Sequence, residues 1–300
     1  VLRMYILFGC GDSGFALAQK LKEGEEKVQI VEKNESKVRQ LQNMDFDAIQ
    51  GDFTNLEDLD DVEIEKAEVV LVLTSDIETV KKALGVINQL KLDLDINPIV
   101  VARAPDSILG SEVKELGADE IIVTSDVFAE YTHDKFREFR ERIKEKRLRS
   151  VLGDLDGKLA IVLQDNPDPD TIASGMAMKT YAEAIGIESD LIFSGEIGHQ
   201  QNRAMVNTLE ANMIRAEDID FGDYAGYALV DVSTHGNCSL PEDIEPTIII
   251  DHHSAVSERA EAEYMDIADV GAAATITANY MRYAEVEVGE TLATALVFAI

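Results

Sequence analysis

The chain has 300 residues, with 27 Lys and Arg against 58 Asp and Glu, a formal net charge of −31. That balance disfavours duplex nucleic acid, whose binding rests on cationic side chains neutralising phosphates, and suits a salt-rich cytoplasm that screens self-repulsion. Two cysteines, Cys10 and Cys238, exclude a disulfide framework and point to a reducing cytoplasm; with no apolar run of about 18 residues and no signal-peptide pattern, the expectation is a soluble chain without membrane insertion, long enough for two domains.

Residues 4–8 form a short buried-strand pattern. They lead at once into Gly9-Cys10-Gly11-Asp12-Ser13-Gly14 and then into an apolar-periodic helix over residues 15–21. Strand, glycine turn and helix in that order make the context a dinucleotide fingerprint requires: Gly9 for the tight turn, Gly11 for close approach of the backbone to a pyrophosphate, Gly14 for helix–strand packing. Cys10 reads as a small packing residue. Residues 28–32 form a second strand, placing Glu32 where an acidic side chain can accept hydrogen bonds from a ribose diol and repel a 2′-phosphate. NAD(H) or an adenine nucleotide is therefore expected, and NADP is not. Further strands are predicted at 47–52, 68–74, 99–103 and 120–123, with helices near 34–43, 76–91 and 107–116, a doubly wound parallel sheet.

The glycine turn with Asp12 and Ser13, Glu32, Gly51-Asp52 before Phe53, Thr74-Ser75-Asp76 and Arg103-Ala104 together resemble the RCK (TrkA-N, or KTN) nucleotide-binding domain of Trk-type potassium-uptake regulators, over residues 1–124. The resemblance implies a domain that senses NAD(H) or AMP, ADP or ATP without transforming it. It further implies Asp52 and Thr74 on the adenine and ribose side of the pocket, pairing as a homodimer, and a potassium transporter as a candidate partner. The alternative is an ordinary dehydrogenase-like Rossmann domain.

Residues 125–152 contain neither glycine nor proline, and Phe128, Tyr131, Phe136, Phe139, Ile143 and Leu148 recur at roughly helical spacing. One long helix joining two domains is expected, with Ser125 as N-cap. The pairs Arg137/Glu141, Glu138/Arg142 and Glu145/Arg149 stand at i,i+4. The basic segment reads either as a solvated face laced with ion pairs or as an attractor of anionic substrate.

Residues 158–163 are a buried-strand run that ends in Gln164-Asp165-Asn166-Pro167-Asp168-Pro169-Asp170, with a helix expected from Thr171. In an extended segment Asp168 and Asp170 point the same way, and two close carboxylates repel unless a cation lies between them. Residues 227–231 form another apolar strand, ending in Asp231. Residues 247–250 form a third, ending in Asp251-His252-His253. Carboxylate and imidazole together suit a divalent ion of borderline softness.

Asn166-Pro167-Asp168-Pro169-Asp170, Asp231, Asp251-His252-His253 and the small-residue segment Ala272 to Thr275 resemble the motifs of the DHH (RecJ-like) phosphoesterase superfamily, over residues 153–300. The resemblance implies that Asp168, Asp170, Asp231 and His252 ligate Mn²⁺ (or Mg²⁺ or Zn²⁺). Catalytic work would fall to His253 on the substrate phosphate and to Asp251, which orients the histidines. His199 and Arg203, in a family-like segment, become candidate phosphate contacts. The implied activity is metal-assisted hydrolysis of short or cyclic nucleotides or related phosphates, tuned by the first domain. Two alternatives remain: a non-catalytic regulator of potassium transport with a degenerate second domain, and a RecJ-like single-strand nuclease. Two departures stand out. Gln164 occupies the place of a family histidine, and the chain stops within the apolar run 291–300, so a fragment lacking a last aspartate and a substrate-binding domain, inactive or nearly so as it stands, is expected. The fold class expected overall is α/β, two doubly wound parallel-sheet domains joined by a long helix.

Overall fold

The computed structural model describes residues 3–198, 211–254, 256 and 258–300. The chain divides into two compact units, Val1–Asp134 and Lys135–Ile300. Each holds a six-stranded, all-parallel sheet with helices between the strands.

In the first unit the strands are β1 (Met4–Phe8), β2 (Lys27–Glu32), β3 (Asp47–Gln50), β4 (Val69–Val72), β5 (Ile99–Ala104) and β6 (Glu120–Val123), in the order β3-β2-β1-β4-β5-β6. Strand side chains alternate between the faces, and both faces are apolar: Ile6, Phe8, Val31, Val70, Val72 and Val100 face one core, Leu7, Ile30, Ala48 and Leu71 the other. The helices α1 (Asp12–Glu23), α2 (Glu35–Asn43), α3 (Ile77–Asp93) and α4 (Ser107–Glu115) lie between the strands. Asn34, Asp76 and Asp106 cap α2, α3 and α4 by accepting backbone N–H bonds. Because β1 lies between β2 and β4, the chain reverses direction across the sheet at the β1/β4 boundary. A parallel sheet of this kind opens its ligand crevice at the carboxyl ends of those strands.

In the second unit the order is β12-β11-β10-β7-β8-β9, with β7 (Leu159–Leu163), β8 (Ser189–Phe193), β9 (Met213–Arg215), β10 (Gly226–Val230), β11 (Ile248–Asp251) and β12 (Tyr264–Ile267). Its switch point falls between β7 and β10. The helices α6 (Pro169–Ala184), α7 (Ala273–Tyr283) and α8 (Glu290–Ala299) share one core with Ile161, Leu163, Ala228, Val230, Ile248 and Ile250. Gly175 lets α6 lie close on β7, since a Cβ there would stand 2.6 Å from a Leu163 methyl carbon. The helix α5 (Thr124–Gly153) carries the division between the units within its length.

Three details differ from the sequence expectation. The chain is already helical at Thr124, so Ser125 is not a cap. Asp168 caps α6, with Pro169 at the first helical position, and the helix starts two residues earlier than expected. Asp170 therefore belongs to a helical first turn and not to an extended segment. The third is that α5 is not simply a solvated face. Glu138–Arg142 and Glu145–Arg149 pair at 3.0 and 2.8 Å, yet Glu145 is buried and accepts the Tyr181 hydroxyl at 2.9 Å beside the fully buried Leu148 and Leu152. Burying each leucine contributes about 1.5–3 kcal/mol.

Candidate nucleotide pocket and candidate metal centre

At the carboxyl ends of β1, β2 and β4 lies a cavity of about 910 Å³ whose lining includes Gly9, Gly11, Asp12, Ser13, Glu32, Asp52, Thr74 and Arg103. Gly14 is outside the lining but permits the site: a Cβ would come within 2.9 Å of the Gly9 carbonyl oxygen. The Glu32 carboxylate accepts the backbone N–H groups of Cys10 at 3.0 Å and Asn34 at 2.9 Å, which holds it beside the glycine turn. Lys33 Nζ stands 2.6 Å from Asp52, whose carboxyl is pushed down to about 2 by that bond and by the Thr54 hydroxyl. Arg103 Nε donates to the Thr124 hydroxyl at 2.9 Å. Cys10 is buried, and burial pushes its thiol up to about 11, which suits packing and not nucleophilic attack. The sequence reading missed Lys33, Lys37 and Lys82, which also line the cavity. With Arg103 they outnumber the acids Asp12, Glu32 and Asp52 there, although acids exceed bases two to one along the chain. That local reversal favours an anionic ligand.

The second site lies at the carboxyl ends of β7, β10 and β11, around a cavity of about 430 Å³ lined by Gln164, Asp231, Asp251, His252 and His253 among others. Asp231, at φ +62°, occupies the left-handed region, a strain tolerated where a side chain must be aimed. Its Oδ2 accepts the Thr171 hydroxyl at 2.5 Å, while Oδ1 is buried without a hydrogen-bond partner. That oxygen stands 3.4 Å from His252 Nε2, and Asp170 Oδ2 is 3.6 Å from the same nitrogen. His252 Nδ1 lies 3.1 Å from the Val270 carbonyl, and an Nδ1–H donated there leaves Nε2 facing the carboxylates. Ligand atoms from Asp231, His252 and His253 all fall within 4.8 Å of one another.

The supporting contacts are specific. Asp251 Oδ1 accepts the backbone N–H groups of His252 and His253 and the His253 Nδ1–H at 2.7 Å, fixing the His253 ring and the backbone of both histidines. The oxygens of Asp170 accept the N–H groups of Ala273 and Ala274 at 2.7 and 2.8 Å, placing a carboxylate at the amino end of α7. Asp168 Oδ1 accepts the Thr171 amide at 3.0 Å. Burial raises the carboxyls of Asp170 and Asp231 despite these bonds, and Asp231, with Asp170 and Asp168 adding repulsion, is pushed up to about 7. Thr171 and the Val270 carbonyl were not foreseen from sequence. Thr171 stands three residues after Asp168, the spacing of a capped helix, which could have marked it; a backbone carbonyl leaves no mark at all. His199 and Arg203 lie outside the described residues.

Comparison with known proteins covers the two units unequally. A protein of Methanocaldococcus jannaschii described as uncharacterized protein MJ1633 is 33% identical over 322 aligned residues, covering 100% of this chain; the chain spans 64% of that relative's length. Among solved structures, the NAD(P)-binding domain of an exopolyphosphatase-related protein from Archaeoglobus fulgidus is 25% identical, covering 44% of this chain and 96% of its own, with a TM-score of 0.41. The TrkA-N domain of the inner membrane protein ybaL from Escherichia coli is 18% identical, covering 45% and 96%, also with a TM-score of 0.41. No helix among the described residues is long and apolar enough to cross a membrane. Residues 5–124 match the family described as the TrkA-N domain, so the first unit is a Rossmann-type nucleotide-binding domain of the TrkA-N (RCK) kind.

Proposed function

We propose that the second unit is a metal-dependent phosphoesterase of the DHH kind, acting on short or cyclic nucleotides or related small phosphates, and that NAD(H) or an adenine nucleotide on the first unit regulates it. The observation that carries this reading is the buried, unpartnered Asp231 Oδ1 facing His252 Nε2 at 3.4 Å. A buried acceptor without a donor is costly unless a cation completes it. The donor set, carboxylates plus one imidazole with its tautomer held from behind, fits Mn²⁺, Mg²⁺ or Zn²⁺. Asp168, Asp170, Asp231 and His252 would hold the metal. When bound, it would supply Lewis acidity toward phosphoryl oxygens and acidify water. Asp251 fixes His253, which is half-exposed and placed to meet a substrate phosphate, while His199 and Arg203 stay candidate phosphate contacts. Both roles belong to a protein working in the cytoplasm, paired as a homodimer through its first unit.

Incubating the full-length protein with Mn²⁺ and a panel of short oligonucleotides, cyclic dinucleotides and pyrophosphate tests the proposal. Turnover of one class, abolished in Asp168→Ala, supports it. Turnover of none, or turnover indifferent to that change, overturns it. Gln164 at the rim of the cavity favours a second reading, a non-catalytic regulator of a potassium transporter. An amide is a poor replacement for imidazole at such ions. Co-purification with a transporter, together with absence of turnover, would select that reading.

A further inference from the structure

The turn that carries the two histidines is held from two sides. On one side Asp251 Oδ1 accepts the amides of His252 and His253 and the ring Nδ1–H of His253. The carbonyls that follow are held by another residue. Nη2 of Arg259 donates to the His253 carbonyl oxygen at 2.5 Å and to the Ser254 carbonyl oxygen at 3.1 Å, so one guanidinium nitrogen fixes two successive peptide planes. The next residue, Ala260, donates its amide to the Ser233 carbonyl at 2.8 Å, two positions beyond Asp231. Residues 259 and 260 thus strap the turn after β11, with His252 and His253, to the end of β10, with Asp231.

The chemistry of Arg259 is directed at that turn. Among the described residues its hydrogen bonds are these two, and its Nε is buried without a partner. Neither bond goes to a carboxylate, although acids outnumber bases 58 to 27 along the chain. A guanidinium turned onto two backbone carbonyls, with one N–H left unpaired, fixes geometry where a plain ion pair would not.

We propose that Arg259 is a positioning residue for His253: it holds the peptide planes after His253 and Ser254, so that the imidazole, tethered at Nδ1, keeps Nε2 free to meet a substrate phosphate. The role toward phosphate rests on the phosphoesterase reading above; the hold on His253 does not. Two substitutions separate the contact from packing. Arg259→Met keeps an apolar stem and removes every donor, while Arg259→Lys returns a cation with rotatable donors. The first readout needs neither metal nor turnover. In ¹⁵N-histidine-labelled protein in EDTA, NMR follows exchange of the His253 Nδ1–H with water. His252 is the internal control, because its Nδ1 is held 3.1 Å from the Val270 carbonyl. The chain has five histidines, so substituting His252 and His253 in turn assigns the two signals. In Arg259→Met the His253 ring proton should exchange roughly tenfold faster or more, with His252 unchanged, and Arg259→Lys should recover most of the difference. The second readout is turnover of a small phosphate substrate by the full-length protein with Mn²⁺. Arg259→Met should raise KM roughly tenfold while kcat stays within about twofold and retained manganese is unchanged. Absence of turnover in the wild type would overturn the phosphoesterase reading and leave the NMR comparison to decide the positioning role. Unchanged exchange at His253 in Arg259→Met, equal loss at His252, no recovery in Arg259→Lys, or a fall in kcat that follows lost manganese would overturn the proposal.

Discussion

Replacing Asp231 by Asn isolates the electrostatic tension of the metal cluster. The buried carboxyl titrates near 7 in the folded protein instead of at its ordinary 3.8, burial being the largest cause. The fold therefore holds the Asp231 proton more tightly than the unfolded chain does. Below about pH 4 both states are protonated and the fold bears no penalty; the penalty grows as pH rises and is complete above about pH 7. The interval is roughly three decades of proton affinity, which at 1.36 kcal/mol per decade is about 4 kcal/mol. At pH 5 only a little over a third of it has been incurred. Asparagine does not ionise, and its carbonyl oxygen can still accept the Thr171 hydroxyl. In EDTA, Asp231→Asn should melt above the wild type, by on the order of 10 °C at pH 8 and by less than half of that at pH 5. Excess Mn²⁺ should reverse the order at pH 8, since only the carboxylate gains a cation. Differential scanning calorimetry at the two pH values, with and without Mn²⁺, reads all four states. A variant that melts no higher than the wild type at pH 8 in EDTA, or a gap that shrinks from pH 5 to pH 8, refutes the reasoning.

Gln164→His should raise the manganese retained after dialysis, measured by atomic emission, because it adds an imidazole at the rim of the same cavity; an unchanged metal content would remove Gln164 from the site. Glu32→Ala should weaken NAD(H) or AMP binding roughly tenfold in calorimetric titrations, the value of the ribose hydrogen bonds, and narrow the preference over NADPH. Glu145→Ala should cost about 2–3 kcal/mol in urea unfolding, since it strips the buried Tyr181 hydroxyl of its acceptor 2.9 Å away, whereas Glu145→Gln should keep most of that contact.

How far the sequence could be read depended on whether a feature was local. The first unit was legible because its signals are contiguous: a strand, three glycines at fixed spacing and an acid at the end of the next strand, gathered around one cavity. The strand-end motifs Asp168/Asp170, Asp231 and Asp251-His252-His253 were legible for the same reason, and the topology brings their strands side by side at a switch point. Strands β8, β9 and β12 were not drawn from the sequence. They stand toward the sheet edges, and β9 is only three residues long, so neither a long apolar run nor clean alternation marks it. The hidden parts of the site are those made at a distance. Asp170 caps a helix more than 100 positions away, and His252 is set by the carbonyl of Val270. An Asp-x-Asp spacing could suggest two carboxylates on one side, but Pro169 begins a helix and sends Asp170 toward α7 instead.

The same distinction governs how α5 is held in the second unit. Lys144 is 3.0 Å from Asp266, a carboxylate almost fully buried, whose other oxygen accepts the Tyr280 hydroxyl at 2.5 Å; Tyr280 in turn meets the Tyr264 hydroxyl at 2.9 Å. From sequence Lys144 is one more base on a charged helix. In the structure it compensates an interior charge. Lys144→Met removes the compensation and leaves Asp266 buried as an anion, at a cost of about 3–5 kcal/mol. Lys144→Met combined with Asp266→Leu removes both charges and should recover most of that loss, because two desolvated ions give way to apolar packing. The single change Asp266→Leu should sit between them, since Lys144 keeps Glu141 at 3.2 Å and can turn to water. Urea unfolding of the three variants closes a double-mutant cycle whose coupling should exceed about 1 kcal/mol. If Lys144→Met costs less than 1 kcal/mol, the pair behaves as a surface ion pair, and the buried network contributes nothing to fixing α5.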